Sequence, residues 1–122
     1  MPHTIVVTGS RDWTDADTIQ KTLTEIDIEQ SGVYGVTLIE GGAQGADRIA
    51  RDLAKSLGWK VITIKADWSL GPRAGPIRNR KMLDLKPDEV IAFRLGETRG
   101  TADCIREAKQ RGIPVRIVEI KP

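Results

Sequence analysis

The sequence contains one cysteine and one histidine in 122 residues. A lone Cys104 excludes an internal disulfide, and with a lone His3 it excludes a Cys/His zinc cluster. Aromatic residues make up only 4% of the chain, too few for the rows of stacking rings that single-strand nucleic-acid binders offer. No apolar run approaches about 18 residues, so no membrane-spanning helix is expected. The start, Met1-Pro2-His3-Thr4, lacks the basic segment and apolar stretch of a secretory signal, and a cytoplasmic location is expected. The net charge of +2 is too small for bulk polyanion binding. Linkers, repeats and low-complexity tracts are also missing, so 1–122 reads as a single domain, long enough to bury roughly two-thirds of its unfolded surface.

One further scarcity is local. From Trp68 to Leu83 no acidic residue occurs, while Arg73, Arg78, Arg80 and Lys81 all fall there. A cluster of that size suits one anionic ligand better than a long polyanion.

What the chain does contain is a regular alternation. Short β-branched runs at Ile5 to Val7, Val36 to Ile39, Val61 to Ile64, Val90 to Phe93 and Val115 to Val118 read as strands. Between them, Ala16, Ile19, Leu23 and Ile26 recur at helical spacing, with Thr14 or Asp15 available as cap. Ala46, Ile49, Ala50, Leu53, Ala54 and Leu57 form a second apolar stripe, stopped by Gly58. An irregular segment, Ala66 to Pro76, precedes a helix expected from Ile77 to about Leu85 and ended by Pro87. A last helix runs from Gly100 to Arg111, closed by Gly112 and Pro114. Continuous strands separated by helices predict an α/β fold: a Rossmann-like, doubly wound, mainly parallel five-stranded sheet flanked by helices.

In such sheets ligands bind at the carboxyl ends of the strands, and four loops gather there. Thr8-Gly9-Ser10-Arg11-Asp12-Trp13 offers amides, a hydroxyl and a guanidinium able to pair with a phosphate. Glu40-Gly41-Gly42-Ala43-Gln44-Gly45-Ala46-Asp47 places three glycines between strand and helix, which fits a phosphate cradle, a tight turn or close packing at Gly45. Asp47 reads equally as a helix-start carboxylate or as an acceptor for a ribose hydroxyl. In the third loop Trp68 can stack on a base or lid the core, and Arg78 and Asn79 at the helix start are the first candidates to face a ligand. In the fourth, Gly96 to Cys104, Gly100 and Thr101 lead into a helix start. Cys104 reads as a packed thiol, and His3 receives no role.

The succession Val-Thr-Gly-Ser-Arg-Asp-Trp, Gly-Gly-Ala-Gln-Gly-Ala-Asp, Asp-Trp, Gly-Pro-Ile-Arg-Asn-Arg-Lys-Met and Gly-Thr-Ala-Asp resembles the YspA/YpsA-related branch of the SLOG superfamily, which joins DprA/Smf proteins to LOG phosphoribohydrolases. The resemblance spans about Ile5 to Val118. It implies a Rossmann-like domain, a phage or bacterial source, a homo-oligomer, and a pocket for a nucleotide or nucleotide-derived signal such as an ADP-ribose compound. Its ligand-binding residues would be Gly9, Ser10, Arg11, Gly41, Gly42, Ala43, Gln44, Gly45, Asp47, Trp68, Arg78, Asn79, Lys81, Gly100 and Thr101, with Trp68 or Trp13 against the base. The expected function is sensing or sequestration by binding.

The alternative is LOG-like N-glycosidic cleavage. Arg80-Lys81 and Gly100-Thr101 match parts of the LOG pattern, but its Pro-Gly-Gly portion is missing and its glutamate position falls on Cys104. Oxocarbenium chemistry needs a placed carboxylate, and Asp103 and Asp47 are the candidates, beside Arg80. DprA-like single-strand binding, from Arg73 to Lys81, is the weakest reading. No resident cofactor or metal site is expected, although a Mg²⁺ carried in with a phosphate is compatible with these loops.

Overall fold

The structure is a computed structural model describing residues 3–30, 35–96 and 98–120. Glu97, within the fourth loop, lies outside the described residues. In chain order the elements are β1 (His3–Gly9), α1 (Ala16–Glu29), β2 (Val36–Glu40), α2 (Ala46–Ser56), β3 (Lys60–Thr63), a short 3-10 helix (Trp68–Arg73), α3 (Ala74–Leu83), β4 (Glu89–Leu95), α4 (Arg99–Gln110) and β5 (Val115–Ile120). The five strands form one parallel sheet in the order β3-β2-β1-β4-β5. The chain is therefore α/β, Rossmann-like and doubly wound.

Alternation along β1 divides the core. Ile5 and Val7 face one layer with Ile19, Leu23 and Ile26 of α1 and Ala46, Ala50 and Ala54 of α2. Val6 faces the other, with Met82 and Leu83 of α3 and Cys104 and Ala108 of α4. The period-two strand geometry sends neighbouring side chains to opposite faces, so each face needs its own helical cover. The small residues of α2 and α4 let these helices lie close to the strands.

The order reverses between β1 and β4. After β3 the chain crosses to the opposite side of β1, and the loops leaving β1 and β4 diverge there. That divergence opens a crevice at the carboxyl end of the sheet.

Several element boundaries depart from the sequence reading. Helix α3 begins at Ala74 instead of Ile77 and ends at Leu83 instead of Leu85. Pro76 falls in its first turn, where proline's missing N–H and fixed φ cost the helix nothing. Pro87 is not the stop, because the turn at Lys86, with φ 56°, has already left the helix. Residues Ala66 to Pro76 are not irregular throughout. The 3-10 helix occupies Trp68–Arg73, its start capped by Asp67 and its interior interrupted at Gly71, where φ is 74°. Asp15, of the two caps considered, closes α1 by accepting from the Thr18 amide at 3.1 Å.

Candidate functional site

A cavity of about 760 Å³ opens at the β1–β4 divergence. Its walls come from four places: Thr8, Gly9, Arg11 and Asp12 at and after the end of β1; Ala43 and Asp47 before and within α2; parts of the stretch from Trp68 to Arg78; and Thr98 to Asp103 with Arg106 at the start of α4. Gly9 is needed where β1 enters this edge, because a Cβ there would collide with Ala46 and the Phe93 carbonyl.

The glycine-rich turn is arranged differently from a phosphate cradle. The Asp47 carboxylate accepts from the Gly41 amide at 3.1 Å and the Ala43 amide at 3.4 Å. Glu40 Oε1 accepts from the Gly42 amide at 2.8 Å. The turn thus gives three amides to the chain's own carboxylates. Gly45, at φ 72°, packs so closely on the Ser10 and Arg11 carbonyls that no side chain fits, and the Ala46 amide donates to the Ser10 carbonyl at 3.2 Å. Ser10 is itself committed, its hydroxyl donating to the Leu95 carbonyl and accepting from the Leu95 amide. Of this turn, Ala43 and Asp47 reach the cavity wall, whereas Gly41, Gly42, Gln44 and Gly45 do not, nor does Ser10.

Burial raises the Asp47 carboxyl to about 6, and the nearby Glu40 charge pushes in the same direction; Arg78 and the two amides oppose them. Glu40 is fully buried. Its Oε1 lies 3.7 Å from Arg51 Nη1, and its Oε2 has no hydrogen-bond partner among the described residues.

Arg78 and Asn79 span the crevice. Arg78 Nη1 donates to the Gly41 carbonyl at 2.8 Å, and its Nε donates to Asn79 Oδ1 at 3.0 Å. Asn79 Nδ2 donates to the Gly100 carbonyl and to Asp103 Oδ2, both at 3.1 Å. With 1% of its surface exposed, Asn79 sits behind the wall as a brace, while Arg78 is part of the wall. One dipeptide therefore sets the spacing between the turns entering α2 and α4.

The α4 start contrasts with that of α2. Neither cap residue, Gly45 or Thr98, makes a side-chain cap bond, but the first turn of α2 carries Asp47 whereas that of α4 carries no acid. Thr98, Arg99, Gly100, Thr101 and Ala102 all line the cavity, joined by Asp103 and Arg106. Arg99, Asp103 and Arg106 follow i, i+4, i+7 spacing, which sets them on one helix face. Arg106 Nη2 holds Asp103 Oδ1 at 2.9 Å. At the rim, the Arg11 guanidinium lies over the Trp68 ring, 5.4 Å from its centroid.

Other expected residues lie elsewhere. Trp13 is 2% exposed, edge-on to Phe93, with Nε1 donating to the Asp15 carbonyl; it is a core residue and has no access to a base. Arg80 approaches Glu107 at 4.0 Å, and neither it nor Lys81 lines the cavity. Cys104 is fully buried, and burial pushes its thiol up to about 12, as fits a packed thiol. Among the described residues no cluster of three potential metal ligands occurs, and no helix is long and apolar enough to cross a membrane. Sequence reasoning missed Thr8, Asp12, Arg99 and Arg106 in the wall, and Glu40 beneath it. The spacing of Arg99, Asp103 and Arg106 was a signal available for two of them.

A family model described as the YspA, cpYpsA-related SLOG family matches residues 3–71. The Gene 61 protein of Mycobacterium phage D29 is 38% identical over 117 residues, covering 91% of this chain and 92% of that protein. Among solved structures, the X-ray structure of TM1055, a structural-genomics target, superposes with a TM-score of 0.66 at 21% identity, covering 93% of this chain and 72% of that one. That similarity concerns the fold.

Proposed function

The chain belongs to the YspA, cpYpsA-related SLOG family, a membership that supports a nucleotide-related function in general, and on that premise we propose that it binds a nucleotide or nucleotide-derived small ligand, such as an ADP-ribose-type signal, for sensing or sequestration. The observation that carries the reading is the α4 start: an acid-free first turn bordering an open cavity, with Arg99 and Arg106 on the same side. A helix start whose own first turn carries no acid, with two guanidiniums beside it, attracts a phosphate. Asp47 and Asp103 offer acceptors for ribose hydroxyls. Trp68 offers a face for the base.

The test is calorimetric titration with AMP, ADP, NAD and ADP-ribose. At least one is expected to bind, and Arg106→Ala to weaken it by about ten-fold, as for the loss of a charged hydrogen bond. Binding by none of the four would refute the reading.

A second reading, N-glycosidic cleavage of a nucleotide, is favoured by Asp47 alone. A wall carboxyl raised to about 6 exchanges its proton close to neutral pH and suits general acid–base work. Cys104 occupies the position of the LOG glutamate and has no charge to offer. Chromatography for free base after incubation with the same panel decides this; turnover lost in Asp47→Asn supports it, and no turnover removes it.

A further inference from the structure

The rim pair Arg11 and Trp68 is unequally fastened. Trp68 starts the 3-10 helix, and that start is fastened: Asp67 Oδ1 accepts from the Ser69 amide at 3.1 Å and from the Ser69 hydroxyl at 2.6 Å, and the Leu70 amide donates to the Asp67 carbonyl at 3.0 Å. Behind the ring, Gly75 leaves van der Waals room, with Trp68 at 3.8 Å from its would-be Cβ. Trp68 is nonetheless 55% exposed. Arg11, by contrast, is an exposed long side chain on a turn, and among the described residues it enters no ion pair. Among the described residues its side chain meets the Trp68 ring, and both residues line the cavity.

A guanidinium on an exposed indole is a weak contact, and a heterocyclic base stacks on the same face more strongly. A guanidinium without a carboxylate partner is also available to an incoming anion. We propose that the Arg11–Trp68 stack is an exchangeable plug: a planar ring displaces the guanidinium from the indole, and the freed guanidinium pairs with the anionic end of the same ligand. This rests on the nucleotide reading above and adds a selection rule to it. A ligand with both ring and phosphate is compensated for removing Arg11, whereas a ring alone is not.

Titrating wild type, Arg11→Ala and Trp68→Phe with adenosine, AMP and ADP-ribose tests the exchange. Arg11→Ala is expected to tighten adenosine by about two- to five-fold, the worth of an exposed cation–π contact. For AMP the same gain is set against the loss of a charged hydrogen bond worth about ten-fold, so the variant should weaken AMP by about two- to five-fold. Because Trp13 and Trp59 are buried, the ligand-induced change in tryptophan emission should disappear in Trp68→Phe. If Arg11→Ala moves adenosine and AMP in the same direction, or moves neither, the exchange is overturned while nucleotide binding stands. If wild type binds no nucleotide, both fall together.

Discussion

The turns entering α2 and α4 both run glycine into a helix start on the same edge of the sheet, and they use it in opposite ways. Before α2, the amides of Gly41, Gly42 and Ala43 are taken by Glu40 and Asp47, so the anion this turn holds belongs to the protein. Before α4, no acid occupies the first turn, and Arg99 and Arg106 border the cavity instead. A glycine-rich turn is thus an incomplete indication of a phosphate site. The carboxylates within one helical turn of it decide whether its donors remain free. Here Asp47, at the second residue of α2, reaches back to close the turn.

The largest expected effect separates the glycines of the two turns. Gly45→Val puts a β-branched residue at φ 72° against two backbone carbonyls and should cost more than about 3 kcal/mol, to the point of insolubility. Urea unfolding that matches wild type would remove the claim that this turn is a packing device.

Next is the pH dependence of Asp47. Its folded pKa of about 6 exceeds the ordinary 3.8, so the folded state holds the proton more tightly than the unfolded chain. The resulting stability is complete below pH 3.8 and is lost as pH rises through about 6, a swing of about 3 kcal/mol. Measured against Asp47→Asn, which cancels the other titrating groups, the wild-type advantage should decline between pH 4 and 6 and level off above 7. Parallel profiles for the two proteins would mean that the turn holds its carboxylate without strain.

On the α4 side the effects fall on binding. Arg106→Ala should cost about 1.4 kcal/mol in AMP affinity and leave unfolding within about 0.5 kcal/mol, because its partner Asp103 keeps Asn79. A loss confined to stability would reverse the contrast between the turns. The smallest effect is Gly100→Ala. Among the described residues, nothing beyond its chain neighbours and its own helix backbone lies within 4 Å of a Cβ there, and the residue is helical, so stability should rise by up to about 1 kcal/mol in thermal or urea unfolding.

The sheet was legible because its strands are short β-branched runs and its helices carry clean apolar stripes. The start of α3 was not, since Gly75-Pro76 reads as a break although proline is at home in a first helical turn. The edge carrying the cavity followed from strand-to-helix polarity. The use made of each side chain did not, because it depends on long-range contacts. Trp13 lies in a ligand-edge loop yet turns inward onto Phe93. Glu40 ends a strand as any acid might, and nothing local announces that it is fully buried. Asn79 was expected to face a ligand, but it is buried behind the cavity wall, and its amide braces Gly100 and Asp103.

Cys104 gives the fold a built-in clock. It is the chain's one thiol, fully buried on α4 with Thr8, Arg78, Asp47 and Asp103 close by. A thiol-directed reagent can reach it only when the layer formed by α3 and α4 opens from the sheet, so the rate of alkylation counts those openings. A ligand seated on the α4 start must leave, or hold the helix down, before each opening, and its saturation should slow the clock by mass action. The same residue that brings no charge to the cavity can therefore time its opening, with no label added to the cavity wall.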